Sequence, residues 1–196
     1  MMKMKPQLRV LVYLLGMSSL LAACTRAAAQ ASPPPSRLEQ ITQIRVMRVG
    51  VAVDAPPFVY LDRQGERQGF DIDLMGEIAR RVGVEVEWVD AAYIRLPEML
   101  RTGKLDAAVG AIACSIEWEE GVEFSLPYHQ PAQPAPPGRG TLCILIPPGQ
   151  PALAEKLHQM IAELAVEGFI ERLNGKYLYM RKELQKNANY SGEFIL

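Results

Sequence analysis

Apolar residues in this chain recur with two periods, and the period switches several times between Arg45 and Ile146. Arg45 to Val53 (RVMRVGVAV) is a β-branched run of the kind that fills a buried strand. It stops at Asp54-Ala55-Pro56-Pro57-Phe58, where the prolines cannot continue a ladder. Asp62-Arg63-Gln64-Gly65 carries turn chemistry. Asp71 is placed to cap a helix, with Asp73 in its first turn at the positive end of the dipole. Leu74, Met75, Ile78, Ala79 and Val82 then form one apolar stripe, and Gly83 is the expected stop. Val84, Val86 and Trp88 alternate with Glu85 and Glu87, which predicts a strand with one wet face, near a sheet edge. Pro97 fits the first turn of a second helix, with Leu96, Met99 and Leu100 inward and Gly103 ending it. Leu105 to Ile112 is almost wholly apolar, as a central parallel strand should be. Strand, helix, strand, helix and strand on short links predict right-handed crossovers in a parallel sheet. Ligands of such sheets sit beyond the carboxyl ends of the strands, here Asp54 to Phe58 and Ala111 to Trp118.

The first residues follow a different pattern. Lys3, Lys5 and Arg9 precede a mostly apolar run, Val10 to Leu21, that is too short to span a bilayer comfortably. It closes with Leu21-Ala22-Ala23-Cys24, which resembles a lipobox, so residues 1–23 read as a lipoprotein signal and Cys24 as the lipidation site. An ordinary signal with an incidental cysteine is the other reading. A lipid on Cys24 would anchor the protein to a membrane on the extracytoplasmic side, in the periplasm or at the outer surface, without a spanning helix. Thr25 to Arg37 lacks apolar periodicity, and Pro33-Pro34-Pro35 favours an extended spacer, so 24–37 is expected to be a lipidated linker.

Composition narrows the function classes. The chain has 196 residues, 49% hydrophobic and 22% charged. Without Lys3, Lys5 and Arg9, 18 basic residues remain against 22 acidic ones, a charge near −4. No basic stripe points to nucleic acid. No paired metal-ligand spacing, phosphate-cradling loop or internal repeat is present, and no cofactor is implied. His129 and His158 lie far apart and read as surface or hinge residues. Without a Ser-His-Asp, Cys-His or metal constellation, an enzyme is not expected.

Three motifs carry a resemblance. Gly69-Phe70-Asp71-Ile72-Asp73-Leu74, Gly103-Lys104-Leu105-Asp106 and Phe124-Ser125-Leu126-Pro127-Tyr128 stand in the order found in bacterial extracellular solute-binding proteins of family 3, which serve polar amino acid ABC importers. The resemblance implies an α/β fold: a three-layer αβα sandwich with a mostly parallel sheet and one antiparallel returning strand, equivalent to lobe I of a type II periplasmic binding protein. Thr141 to Ile146 resembles the returning strand. Pro151 to Leu164 is similar to the closing helix, and Phe169 to Leu173 to a last short helix after Gly168. Residues 38–183 then form one lobe, with 184–196 as a tail. In the family a second lobe lies between the Ser-x-Pro-Tyr motif and the returning strand. Here only 129–140 (HQPAQPAPPGRG) fills that gap, a connector too short for a domain of about 50 residues or more.

The resemblance also implies where a ligand would sit. The family's Thr-x-x-Arg pair, whose arginine meets the ligand carboxylate, falls here on Ser115 and Trp118, with Glu117, Glu119, Glu120 and Glu123 around them. Ligand binding is therefore expected to be weak or altered, at a half-site of Asp54, Phe58, Tyr60, Ser115 and Trp118. Phe58 and Trp118 either stack on a planar or cationic ligand or close an open sheet edge. Cys114 and Cys143 are expected on strands that run antiparallel side by side in the family. Either they form a disulfide, which an exported domain would keep, or alternation points the two side chains to opposite faces. The expected partners are a small polar solute, an ABC permease, another envelope protein or a second copy, with nucleic acid excluded. The other functional reading is an interaction module that uses the surface a second lobe would cover.

Overall fold

The computed structural model describes residues 34–52, 55–114, 121–130 and 140–186. The chain enters the fold at helix α1 (Arg37–Ile44), which Ser36 and Glu39 cap reciprocally in a capping box. Arg45, with φ 57°, turns the chain into strand β1 (Val46–Ala52). A hairpin of β2 (Tyr60–Leu61) and β3 (Arg67–Gln68) follows, and Asp62 Oδ1 stabilises its turn by accepting the N–H groups of Gln64 and Glu66. Next come α2 (Phe70–Val82), β4 (Glu85–Ala91), a 3-10 turn at Tyr93–Arg95 that runs into α3 (Leu96–Arg101), and β5 (Ala107–Val109). The remainder is β6 (Glu123–Phe124), β7 (Leu145–Ile146), α4 (Pro151–Val166) and α5 (Phe169–Lys186).

The strands form one sheet in the order β4-β1-β5-β7-β6. β4, β1 and β5 are parallel, and β7 runs antiparallel between β5 and β6. The wet-faced strand β4 lies at the edge, as its alternation predicted. Met47, Val49 and Val51 point to one face of the sheet, into a core shared with α1, α2, α4 and α5. Leu96 and Leu100 of α3 cover the other face with Leu105, Ala108 and Leu145. The result is the αβα sandwich expected from the sequence.

Three expectations change in the structure. Residues Arg37–Ile44, to which the sequence reading assigned no element, form a helix that Ser36 and Glu39 cap. The last helix, after Gly168, is not short: α5 runs through Lys176 and Tyr177 to Lys186. The central strand is cut to Ala107–Val109, because the next two backbone N–H groups turn away from the ladder.

The Gly-x-x-Asp motif holds the amino-terminal edge of the sheet together. Asp106 is 1% exposed. It accepts the Arg48 backbone N–H at 2.7 Å and pairs with the Arg37 and Arg48 guanidiniums. Both arginines also donate to the Gly103 carbonyl, each at 2.9 Å. One carboxylate thus joins α1, β1 and the β5 approach. Asp106→Ala should lower the unfolding free energy in urea by about 2–4 kcal/mol, because it strands a backbone donor and leaves two guanidiniums without a counter-charge. An unchanged midpoint would disprove that role.

Candidate functional site

The carboxyl ends of β1 and β5 form the rim where a ligand of this sheet would sit. The rim is organised from below by the first turn of α2. Gly69 adopts φ 140°, and a side chain there would come within 2.0 Å of the Phe58 carbonyl oxygen. That close approach lets the N–H groups of Phe70 and Asp71 donate to the carbonyls of Pro57 and Phe58, each at 3.0 Å. The loop after β1 is thereby tied to the helix.

Asp71 ties down the loop after β5. The helix N-cap is Gly69, not Asp71 as expected; Asp71 is wholly buried and reaches across to the other loop. Its Oδ2 accepts the N–H groups of Gly110 at 2.9 Å and Ala111 at 3.0 Å. Both residues lie at positive φ, 133° and 54°. Gly110 fits against Ala52 of β1 only without a side chain, since a Cβ would stand 3.0 Å from the Ala52 nitrogen. Ala111 has no such excuse, and its left-handed conformation costs about 1 kcal/mol or more.

Asp71 Oδ1 and the Tyr128 hydroxyl are both buried without a hydrogen-bond partner among the described residues. The two groups feel each other's charge without a formed bond. Burial raises the Asp71 carboxyl to about 6, against the lowering effects of the Ala111 N–H, Tyr128 and the Gly110 N–H. Burial, and then Asp71, push the Tyr128 phenol well above its usual range.

An aromatic cluster lies under the rim. Phe70 stacks on Tyr128 at 5.8 Å and meets Phe58, His129 and Tyr177 at an angle. Phe58 is 4% exposed and packs edge-on against His129 at 5.3 Å. Its ring therefore belongs to the core, not to an open stacking platform. Tyr60 is half-buried on β2, where burial raises its phenol and Lys176, Asp73 and Asp62 lie near enough to act on it. This is the α2–α5 side of the molecule, where Asp73 Oδ2 accepts from Lys176 Nζ and the Tyr177 hydroxyl, both at 2.7 Å. Asp54, Ser115 and Trp118 lie outside the described residues, as do Cys24, Glu117, Glu119, Glu120 and most of the 129–140 connector.

Glu123 does not belong to the rim. It pairs with Ile146 in the sheet, and its Oε1 accepts the Gly149 N–H at the opposite edge. His129 and His158 are both part-buried: His129 Nδ1 meets Asn174 Oδ1 at 2.9 Å, and His158 Nε2 lies 3.3 Å from the Phe124 carbonyl. Ser125 of the Ser-x-Pro-Tyr motif accepts the Ile144 N–H at 2.9 Å, so this motif too is scaffold. Tyr93, after β4, is a rim residue that sequence reasoning missed; burial raises its phenol to about 12. Cys114 and Cys143 are joined by a disulfide, which fastens the loop after β5 to the returning segment. No group of His, Cys, Asp and Glu side chains among the described residues is arranged to hold a metal.

Residues 47–180 match the family of bacterial extracellular solute-binding proteins, family 3. The chain belongs to that family. Over 83 residues it is 34% identical to a probable histidine-binding protein of Campylobacter jejuni, covering 42% of this chain and 32% of that one. Over 125 residues it is 30% identical to the cyclohexadienyl dehydratase of Pseudomonas aeruginosa, covering 64% and 45%. The chain thus spans less than half the length of these two relatives. The solved arginine-bound domain 1 of TmArgBP is 32% identical with a TM-score of 0.59, and the match covers 64% of this chain and 98% of that domain. No described helix is long and apolar enough to cross a membrane.

Two outcomes follow from this geometry. Because its folded value is raised to about 6, Asp71 contributes stability that is fully present below pH 4 and lost as pH rises through 6. Asp71→Asn keeps an oxygen for both N–H groups. Urea unfolding between pH 4 and 7.5 should show the parent losing up to about 3 kcal/mol relative to this variant; parallel pH profiles would refute the assignment. Replacing Cys114 and Cys143 with serine opens a link spanning a sequence separation of 29. It should cost about 3–4 kcal/mol by the chain-entropy relation, read as a lower thermal midpoint than the non-reduced parent.

Proposed function

We propose that this protein is a membrane-tethered, solute-binding lobe that takes a cationic amino acid weakly at the rim of its sheet. The observation that carries this reading is the likeness to an arginine-bound single domain, almost all of which the chain covers at 32% identity. That relative is an arginine-bound form of a single domain, which supports binding without a second lobe. The sequence after Cys114 supports a cationic ligand. Trp118 takes the place of an arginine and offers a ring face, and Glu117, Glu119 and Glu120 supply negative charge. Asp54, Tyr60 and Ser115 complete the proposed site. Phe58 supports it from the core beneath.

Residues 129–140 are then the connector that stands where a second lobe would be, and Cys24 is the lipidated anchor. The role is binding, in transport with an ABC permease or in sensing at the envelope, and not catalysis.

Exposed Ile94, at 77%, and Leu126, at 44%, favour the second reading, in which the rim docks another envelope protein or a second copy. Both follow strands that end at the rim.

Isothermal titration of the chain from residue 24, with Cys24→Ser, should give heat with arginine or lysine at a Kd on the order of 0.1 mM. Trp118→Ala should weaken binding by about 5- to 30-fold. A folded sample with no heat from arginine, lysine, ornithine or histidine, and with concentration-dependent sedimentation, would replace this reading by the docking one. In cells, Cys24→Ser should move the protein from the membrane to the soluble fraction.

A further inference from the structure

We infer that a cleft at the amino-terminal edge of the sheet, lined by Arg37 and Arg101, binds a single phosphate group. It lies at the other end of the strands from the rim, beside the Asp106 and Gly103 contacts of Arg37. It does not depend on the amino acid reading; only its link to a membrane rests on the proposed anchor. Gly103, Pro147, Pro148 and Gln150 also line the cleft, which measures about 100 Å³. Pockets that enclose drug-sized ligands measure roughly 300–1,000 Å³. The occupant is therefore one small group.

The two guanidiniums give that group its charge and geometry. A guanidinium carries five N–H donors in a planar fork. Arg37 uses three of them, on Asp106, on Gln40 Oε1 at 3.4 Å and on the Gly103 carbonyl at 2.9 Å. Its side chain is 19% exposed, so these bonds fix the fork before a ligand arrives. Arg101, in the last turn of α3, has no acceptor among the described residues. Its stem is nonetheless placed: it lies against Gly121, where a Cβ would stand 2.6 Å from Arg101 Cδ. A tetrahedral oxyanion offers oxygens to donors on different walls at once, whereas a carboxylate offers two in one plane.

The neighbouring acids are turned elsewhere. Asp106 is buried and shared between Arg37 and Arg48. Glu39 accepts the Ser36 N–H, Glu98 pairs with Arg95 at 3.5 Å, and Glu123 accepts the Gly149 N–H. Lys104 adds a positive charge next to Gly103. One buried carboxylate thus answers two arginines, and the charge of Arg101 is left for a ligand.

The phosphate has two sources, a lipid headgroup or the free ion. Arg37 opens α1 and lies 13 residues after Cys24, a span of at most about 45 Å when extended. In the proposed tethered protein a headgroup is within reach. Its capture would turn the amino-terminal edge of the sheet to the membrane and the rim away from it.

The test uses the chain from residue 24 with Cys24→Ser at constant ionic strength. Inorganic phosphate, exchanged for chloride, should shift the Gly103 and Gln150 amide signals and saturate with a Kd on the order of 1 mM. Acetate should bind more weakly. Arg101→Gln should weaken phosphate about tenfold at an unchanged thermal midpoint. Arg101→Lys should keep most of the affinity, and Arg63→Gln, on the hairpin turn, should keep all of it. Signals that stay still, that move equally in Arg101→Gln, or that acetate moves as tightly would overturn the inference. Sedimentation with vesicles of phosphatidylcholine, alone or mixed with phosphatidylglycerol, separates the sources. Binding to the mixed vesicles that phosphate competes away and Arg101→Gln abolishes identifies a headgroup as the ligand. Saturable phosphate without such binding keeps the site, assigns it the free ion and removes the membrane role. Vesicle binding that falls equally in Arg101→Gln and Arg63→Gln is diffuse charge and also removes that role. Heat from arginine at the rim is independent of all these outcomes, so the two readings fail separately.

Discussion

The first turn of α2 is the constraint on which the candidate site depends. Two sets of backbone groups at the rim would otherwise lack partners: the carbonyls after β1 and the N–H groups after β5. Phe70 and Asp71 satisfy the first set with their own N–H groups, and the Asp71 side chain satisfies the second. Buried backbone groups left unpaired cost about as much as a lost hydrogen bond each. A single helical turn therefore settles two loops at once. It does so only because Gly69 lets the backbones approach and because a carboxylate accepts buried charge for the sake of two donors.

The same logic explains the three family motifs. Each places a buried polar side chain where main chain from distant segments would be left unsatisfied. Asp106 joins the edge where α1, β1 and β5 begin, and Ser125 joins the approach to β7. Asp73 draws α5 onto α2. These residues keep a lobe intact, and their presence speaks for the fold. In the proposed reading ligand choice lies with other side chains, those after Val53 and Cys114.

A lone lobe has consequences for energetics as well as for mechanism. In the proposed reading as a lone lobe, hinge closure would not bury the ligand, so affinity would depend on how well the open rim is shaped beforehand. The disulfide fixes Cys114, and the Asp71 carboxyl fixes Gly110 and Ala111, so the start of the loop after β5 is held at two places. The proposed anchor at Cys24 would offset weak affinity in another way, by keeping the binder close to whatever receives its ligand.

Much of this was legible in the sequence, for physical reasons. Apolar periodicity located β1, α2, β4, α3 and α4, since those elements each bury one face and repeat accordingly. Gly83 and Gly168 marked stops because few other residues take the left-handed conformation without cost. The motifs gave the fold as an expectation, and the family's strand order left the Cys114–Cys143 pairing as one of two alternatives, which the structure decides. Tertiary structure alone decided the rest. Asp71 reads as a helix cap from its neighbours, and only the packing of α2 beneath β5 turns it toward Gly110 and Ala111. Phe58 reads as a rim aromatic until Phe70 and His129 close around it. Glu123 counts with the rim acids until the register of β6 carries it to the other edge. Periodicity and turn chemistry are properties of neighbouring residues and survive in one dimension; where a carboxylate finds its donors depends on segments about 40 residues apart, and only folding brings them together.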